Sequence, residues 1–343
     1  MTPDLSARLA KMGRHKKRVL SQLFQYPNVV AVGIGVKRKN GVATKELCFC
    51  FSVEKKLPLR KLAASEVIPP ILELSDGTKV STDVVETGPA APTTDLAAYR
   101  PARPGAAIQN DSKGGIGSLG GVCLLNGGHV ALTANHVLTD PGKPNQAPGA
   151  RRVWQPTRSP GGSDIGSFGR IAPLRTDPNR LRAPVNRFDV GYVNGILAGS
   201  ISSRVIDLGT ANDRFYSVGA VVDPMPYWIL TVDVVKRGIE TYVSRGRITE
   251  LDVSVTLNYG TAAAPAYGTI GQGNSVFKIE GLDSRFAQPG DSGSIVIYDD
   301  GGDPHPSTGI VFAGSDRPGT GATFACNLVQ VMQYFGLSTV GLF

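Results

Sequence analysis

Apolar residues at the start of the chain recur near a 3.6-residue period: Leu5, Leu9, Met12, Val19, Leu20, Leu23 and Phe24, with Arg8, Lys11, Arg14, Lys17 and Arg18 on the remaining face. That spacing predicts an amphipathic helix over 4–25, closed by Pro27. Beyond it the period shortens to two. Runs over 29–37 and 47–53 read as strands joined through Lys39-Asn40-Gly41, whose Asn-Gly favours a tight hairpin turn, and a third extended run over 71–85 turns at Asp76-Gly77. Together these predict a small α+β unit over 1–88.

From 89 to 114 the sequence is rich in Pro, Ala and Gly without apolar periodicity, which predicts a linker. The remainder, 115–343, alternates short β-like runs with Gly/Pro turns. It closes with Leu328, Val331, Met332 and Phe335 at helical spacing before Gly336 at a helix-stop position. The pattern is all-β with one terminal helix, and the 42 glycines and 24 prolines in 343 residues suit many short strands better than long helices. The length allows one large domain or two ordinary ones and excludes a disulfide-stapled miniature fold. No internal repeat is visible in the sequence.

The net charge of +8 is confined to one end: residues 1–60 hold 13 Lys and Arg against 3 Asp and Glu, the rest 23 against 25. A solvated helix face is the plainer reading of such a run, and an acidic partner of the basic N-terminal region is the sharper one. Without interleaved aromatics or a nucleic-acid motif, no nucleic acid is expected. No stretch approaches the ~20 apolar residues of a membrane span, and the N-terminus lacks the apolar core of a secretory signal, so a cytoplasmic location is expected. The four cysteines form no CxxC pair; Cys48 and Cys50 share one face of a strand, a poor geometry for bridging each other. They are expected as buried free thiols, with no zinc site and no cofactor. Gly115-Ile116-Gly117-Ser118-Leu119-Gly120 fits GxGxxG, but a strand follows where a dinucleotide site needs a helix. Asn110-Asp111-Ser112 fits a glycosylation acceptor, which carries no meaning without a secretory signal.

Only four histidines are present. His136 follows an Asn126-Gly127-Gly128 turn and a strand, at a strand end where a side chain faces a cleft. In Gln288-Pro289-Gly290-Asp291-Ser292-Gly293-Ser294, a serine between glycines in a tight turn exposes its Oγ, and the N–H groups of Gly290 and Ser292 suit an oxyanion hole. It is not the Gly-x-Ser-x-Gly elbow, because Ser294 holds the last position and no crossover helix follows. Asp189 stands between Phe188 and Val190 in a strand-like run; a buried carboxylate there needs a partner, and the Nδ1–H of His136 would serve. Taken singly, each segment has a structural reading as well: a packed histidine, a common turn, an exposed acid on an alternating strand.

Taken together, Thr133-Ala134-Asn135-His136, Phe188-Asp189-Val190 and Gly290-Asp291-Ser292-Gly293 resemble, in order, the histidine, aspartate and serine signatures of trypsin-like serine peptidases. The resemblance implies an all-β double six-stranded β-barrel with a C-terminal helix, here carrying the small N-terminal α+β domain. It implies a serine endopeptidase acting on a protein or peptide substrate, intracellular given the missing secretory signal, with His136, Asp189 and Ser292 catalytic and Gly290 and Ser292 lining the oxyanion hole. Loss of neutral His136 would then lower activity below about pH 6.5. A finer resemblance is to the bacterial and plant peptidases of the Narrow Leaf type, carried by Val235-Lys236-Arg237-Gly238, Thr241, Ser244, Gly246 and Ile248, by Val153-Trp154-Gln155-Pro156 and by 309–314. The chain departs from the family in three places: Val137 replaces a bracing cysteine, Ser294 replaces a second glycine, and Tyr242 stands where the Lys-x-Gly run has glycine. By resemblance, Phe286 lies at the base of the primary pocket and Phe312, Ala313 and Gly314 form its wall, so an uncharged pocket is expected. In secreted trypsins a newly cut N-terminus pairs with the aspartate before the nucleophile, here Asp291; either the linker is cut, or Asp291 is satisfied inside the intact chain. The alternative function is a catalytically quiet, peptidase-like binding module targeted by its basic end.

Overall fold

The computed structural model describes residues 3–39, 42–88, 90–91, 99–111, 116–139, 151–158, 161–197, 199–208, 227–299, 306–315 and 321–339. The Asn40-Gly41 turn, Ser112 and Gly115 lie outside them. Helix α1 (Pro3–Leu23) leads into β1 (Val29–Lys39), β2 (Val42–Val53), β3 (Ile71–Glu73), β4 (Lys79–Glu86) and the short β5 (Ala90–Ala91). Next come β6 (Ala107–Asn110), β7 (Ile116–Ser118), β8 (Val122–Leu125), β9 (Gly128–Thr133), helix α2 (Asn135–Leu138), β10 (Arg152–Gln155), β11 (Ser163–Ile171), β12 (Val185–Asn186) and β13 (Gly191–Asn194). The chain continues through β14 (Asp233–Gly238), β15 (Tyr242–Asn258), β16 (Tyr267–Ile270), β17 (Val276–Gly281), β18 (Ile295–Tyr298), β19 (Ser307–Ser315) and β20 (Ala322–Asn327) to helix α3 (Leu328–Phe335) and β21 (Ser338–Thr339).

Two closed barrels follow from the pairing. In the first, β6 pairs β7 and β10, β10 pairs β11, β11 pairs β13, β13 pairs β9 and β9 pairs β8. β7 and β8 are halves of one bent strand, because Gly120 N–H donates to the Leu132 carbonyl (2.7 Å) and Leu132 N–H to that of Gly121 (2.8 Å) across the bend. In the second, the order β14-β18-β19-β20-β17-β15 returns to β14. This is the all-β double six-stranded barrel of chymotrypsin type with a C-terminal helix. Helix α3 begins where the Asn327 side chain accepts the Val329 N–H (3.2 Å) and ends at Gly336, which takes the left-handed backbone (φ 70°) that glycine adopts freely.

The N-terminal elements extend the second barrel. β1 pairs antiparallel with the middle of the 17-residue β15, from Ala31 opposite Val255 to Gly35 opposite Glu250, and β2, β4 and β3 follow outward. Helix α1 packs Leu9, Met12 and Leu23 onto this sheet, where Phe49 and Phe51 are fully buried. Each such aromatic contributes about 1.5–3 kcal/mol of apolar burial. The buried Lys16 ammonium reaches Asp252 on β15 (3.3 Å), so a charged as well as an apolar contact fixes the helix. The stretch 89–114, expected as a linker, instead supplies β5 and β6, and the first barrel therefore starts before residue 115. Four residues of β6 among Pro, Ala and Gly are too few to display alternation. All four cysteines are buried free thiols, with Cys48 Sγ and Cys50 Sγ 3.6 Å apart.

Candidate active site

β9 carries the chain to His136, on the single turn of α2, where it is 5% exposed. Its Nδ1 lies 2.8 Å from Asp189 Oδ2, and its backbone N–H donates to Oδ1 (3.1 Å). Asp189, fully buried just ahead of β13, also accepts the Tyr259 hydroxyl at Oδ2 (2.8 Å). Three donors therefore compensate a carboxylate that would be costly to bury alone. Burial first, and the Asp189 charge second, push the Tyr259 hydroxyl well above its ordinary pKa, so it stays a neutral donor. With Nδ1 committed to Asp189, the lone pair of neutral His136 falls on Nε2. That nitrogen is buried and has no hydrogen-bond partner.

Ser292 is fully buried, and its Oγ donates to the Phe312 carbonyl (3.4 Å) rather than to His136. The structure thus joins His136 to Asp189 directly and leaves Ser292 Oγ and His136 Nε2 without a mutual hydrogen bond. Among the described residues, the N–H groups of Gly290 and Ser292 donate to nothing. Gly290 (φ 117°) and Gly293 (φ 97°) both need glycine's backbone freedom. At Gly293 a Cβ would also lie 2.1 Å from the Ser118 carbonyl oxygen and 2.3 Å from Thr133 Oγ1. The first barrel grips this turn: Ser118 N–H donates to the Ser292 carbonyl (2.7 Å) and Ser118 Oγ to that of Gly290 (2.9 Å). The GxGxxG stretch belongs to the same contact, because a Cβ on Gly117 would meet Val137 at 2.3 Å and one on Gly120 the Gly293 carbonyl at 2.4 Å.

Asp291 is satisfied within the intact chain. Its carboxylate lies 3.1 Å from Lys236 Nζ, both side chains fully buried, and accepts Thr241 Oγ1 (2.8 Å) and the N–H groups of Gln288 (2.9 Å), Glu240 (3.0 Å) and Thr241 (3.4 Å). Burial pulls the Lys236 ammonium below its ordinary pKa while the Asp291 charge opposes the shift. The Lys-x-Gly run now has a physical reading. Lys236 supplies the counter-charge; Gly238 leaves the space, since a Cβ there would sit 2.1 Å from Asp291 Oδ1; and Ser244 Oγ holds the Phe286 carbonyl (2.7 Å). Tyr242, at the position where the run has glycine, adopts φ 53° with its ring beside the Arg237 guanidinium (5.2 Å). The turn keeps the glycine-type backbone with a tyrosine in it.

The residues expected around a primary pocket are packed. Phe286 is fully buried with its ring 5.5 Å from Lys236 Nζ, and Phe312 and Ala313 sit in the core. Gly314 faces strand β5. Among the described residues no group of three or more His, Cys, Asp or Glu is arranged to hold a metal ion. Sequence reasoning missed Tyr259, which reaches Asp189 from 70 positions away, and the pairing role of Lys236.

No family model matches the chain, and no curated protein matches it. Solved structures similar to it include Thermobifida fusca protease A (18% identity, 70% of this chain and 99% of that one, TM-score 0.44). A glutamic acid-specific serine protease is similar at 20% identity, over 70% of this chain and 100% of that one, with a TM-score of 0.42. Cellulomonas bogoriensis chymotrypsin is similar at 19% identity, over 70% and 98%, with a TM-score of 0.43. At such TM-scores the fold assignment rests on the closed strand pairing. No helix among the described residues is long and apolar enough to cross a membrane.

Proposed function

We propose that the chain is a serine endopeptidase of the Narrow Leaf type, acting inside the cell on protein or peptide substrates. The observation that carries this is the His136 Nδ1 contact to buried Asp189, with Nε2 left without a hydrogen-bond partner. In this reading Ser292 Oγ rotates away from the Phe312 carbonyl, loses its proton to His136 Nε2 and attacks the scissile carbonyl. The tetrahedral oxyanion takes the idle N–H groups of Gly290 and Ser292. His136 then returns the proton to the leaving amine, and water hydrolyses the acyl-enzyme by the reverse sequence. Catalytic hydrogen bonds are commonly loose before substrate arrives, which accommodates the absent Ser292–His136 bond. Four buried free cysteines are in keeping with a reducing compartment, and the basic α1 face supplies the acidic-partner surface.

A second reading, a quiet peptide-binding module, is favoured by the same Ser292 Oγ contact to Phe312. A fluorophosphonate probe separates the two. The peptidase gives an adduct on Ser292 that is lost in Ser292→Ala together with hydrolysis; folded protein without an adduct leaves the binding module.

A further inference from the structure

One edge of β19 serves four clients in succession. Going along the strand, Ser307 to Ile310 pair with β18. Val311 then exchanges bonds with the nucleophile turn, its carbonyl accepting Gly293 N–H (2.7 Å) and its N–H donating to the Ser294 carbonyl (2.9 Å). The Phe312 carbonyl accepts Ser292 Oγ (3.4 Å). Finally Gly314 and Ser315 pair antiparallel with Ala91 and Ala90 of β5. The opposite edge is filled by β20 through Gly309 to Gly314, so β5 lies on the β18 side, in line with Ser292.

We propose that Ala90–Ala91 of the same chain occupies this edge in cis, as a built-in competitor of an extended peptide substrate. The proposal rests on the reading of Ser292 as nucleophile. A strand edge offers unpaired N–H and C=O groups that an extended peptide satisfies by adding a strand, with main-chain hydrogen bonds supplying the affinity. Antiparallel pairing runs β5 from Ala90 opposite Ser315 to Ala91 opposite Gly314, the direction in which Phe312 and the Ser292 hydroxyl lie along β19. The occupant identifies the ligand class: an extended peptide segment paired antiparallel with Gly314 and Ser315. A cis segment competes at high effective concentration, so the intact chain is latent toward peptides while its nucleophile turn is already held by Lys236.

The test compares the full chain with A90P/A91P, whose prolines cannot join the ladder, and with the milder A90G/A91G. The small fluorophosphonate reagent does not need the β19 edge, so it reports the state of Ser292 separately. The expected result is a kcat/KM for peptide hydrolysis at least fivefold higher in A90P/A91P, through a lower KM, an intermediate value for A90G/A91G, and labelling rates within twofold. Unchanged KM with intact labelling in all three overturns the inference. Binding is read without catalysis in the S292A background, using a fluorescein-labelled peptide of the sequence Thr87-Gly88-Pro89-Ala90-Ala91. Binding at least tenfold tighter to the proline variant than to the native segment supports occupancy in cis; equal binding refutes it. Absence of labelling in every variant refutes the nucleophile reading instead, which the peptide binding then leaves distinguishable.

Discussion

Replacing Lys236 with Met asks whether the buried ion pair holds the turn that carries Ser292. Lys236 and Asp291 are both fully buried and 3.1 Å apart, so the substitution leaves a carboxylate in the interior with no counter-charge. Removing one partner of such a pair costs about 3–5 kcal/mol. Asp291 keeps the Thr241 hydroxyl and three backbone N–H donors, which places the expected loss near the lower end, about 3 kcal/mol, against a total stability of about 5–15 kcal/mol. Urea denaturation, with D291N and the double variant completing a cycle, measures it. The double variant should be about 2 kcal/mol more stable than the two losses added. Additivity within about 0.5 kcal/mol, or native-like fluorophosphonate labelling of K236M, would refute the view that this pair holds Gly290–Ser292 in place.

Tyr259→Phe removes a hydrogen bond to buried Asp189, with an expected cost of about 1.5–3 kcal/mol and slower labelling of Ser292 as His136 loses its fixed partner. Because the folded hydroxyl titrates above its unfolded value near 10, unfolding releases a proton at high pH; urea midpoints of the native chain should fall more steeply above about pH 10 than those of Y259F. Gly293→Ala forces a side chain onto the Ser118 carbonyl at a backbone of φ 97°, so thermal melting should show a loss of at least about 2 kcal/mol and labelling should fall with it.

What the sequence disclosed was local. The 3.6-residue period gave α1 within two residues at each end, Asn126-Gly127 gave the β8–β9 turn with both residues in left-handed backbone, and Gly336 gave the end of α3. The His136, Asp189 and Ser292 segments were legible because each carries its own short signature close to a strand. Tyr259 carried no such signature: it follows the end of β15, and only the tertiary fold brings its hydroxyl to Asp189, ahead of β13. The β6 strand was hidden by composition. Its neighbours are Pro, Ala and Gly for reasons of close packing, as at Gly105, where a Cβ would lie 2.9 Å from Arg237.

The glycines once read as turn punctuation therefore divide into two kinds. Gly127 and Gly336 stand in open space and serve backbone conformation alone. Gly117 on β7, Gly120 in the β7–β8 bend and Gly238 on β14 surround the turn that holds Gly293, and a side chain on any of the four would strike a neighbour at 2.1–2.4 Å. The Gly290–Gly293 turn is thus clamped between the first barrel, through Ser118, the β14 cation Lys236, and the β19 edge at Val311. A turn held this way in the uncut chain has no need of a new N-terminus to form it. In the proposed reading, cutting the segment around Ala90–Ala91 acts elsewhere, on the strand edge two residues from Phe312, and so changes access to Ser292 and not assembly of the turn.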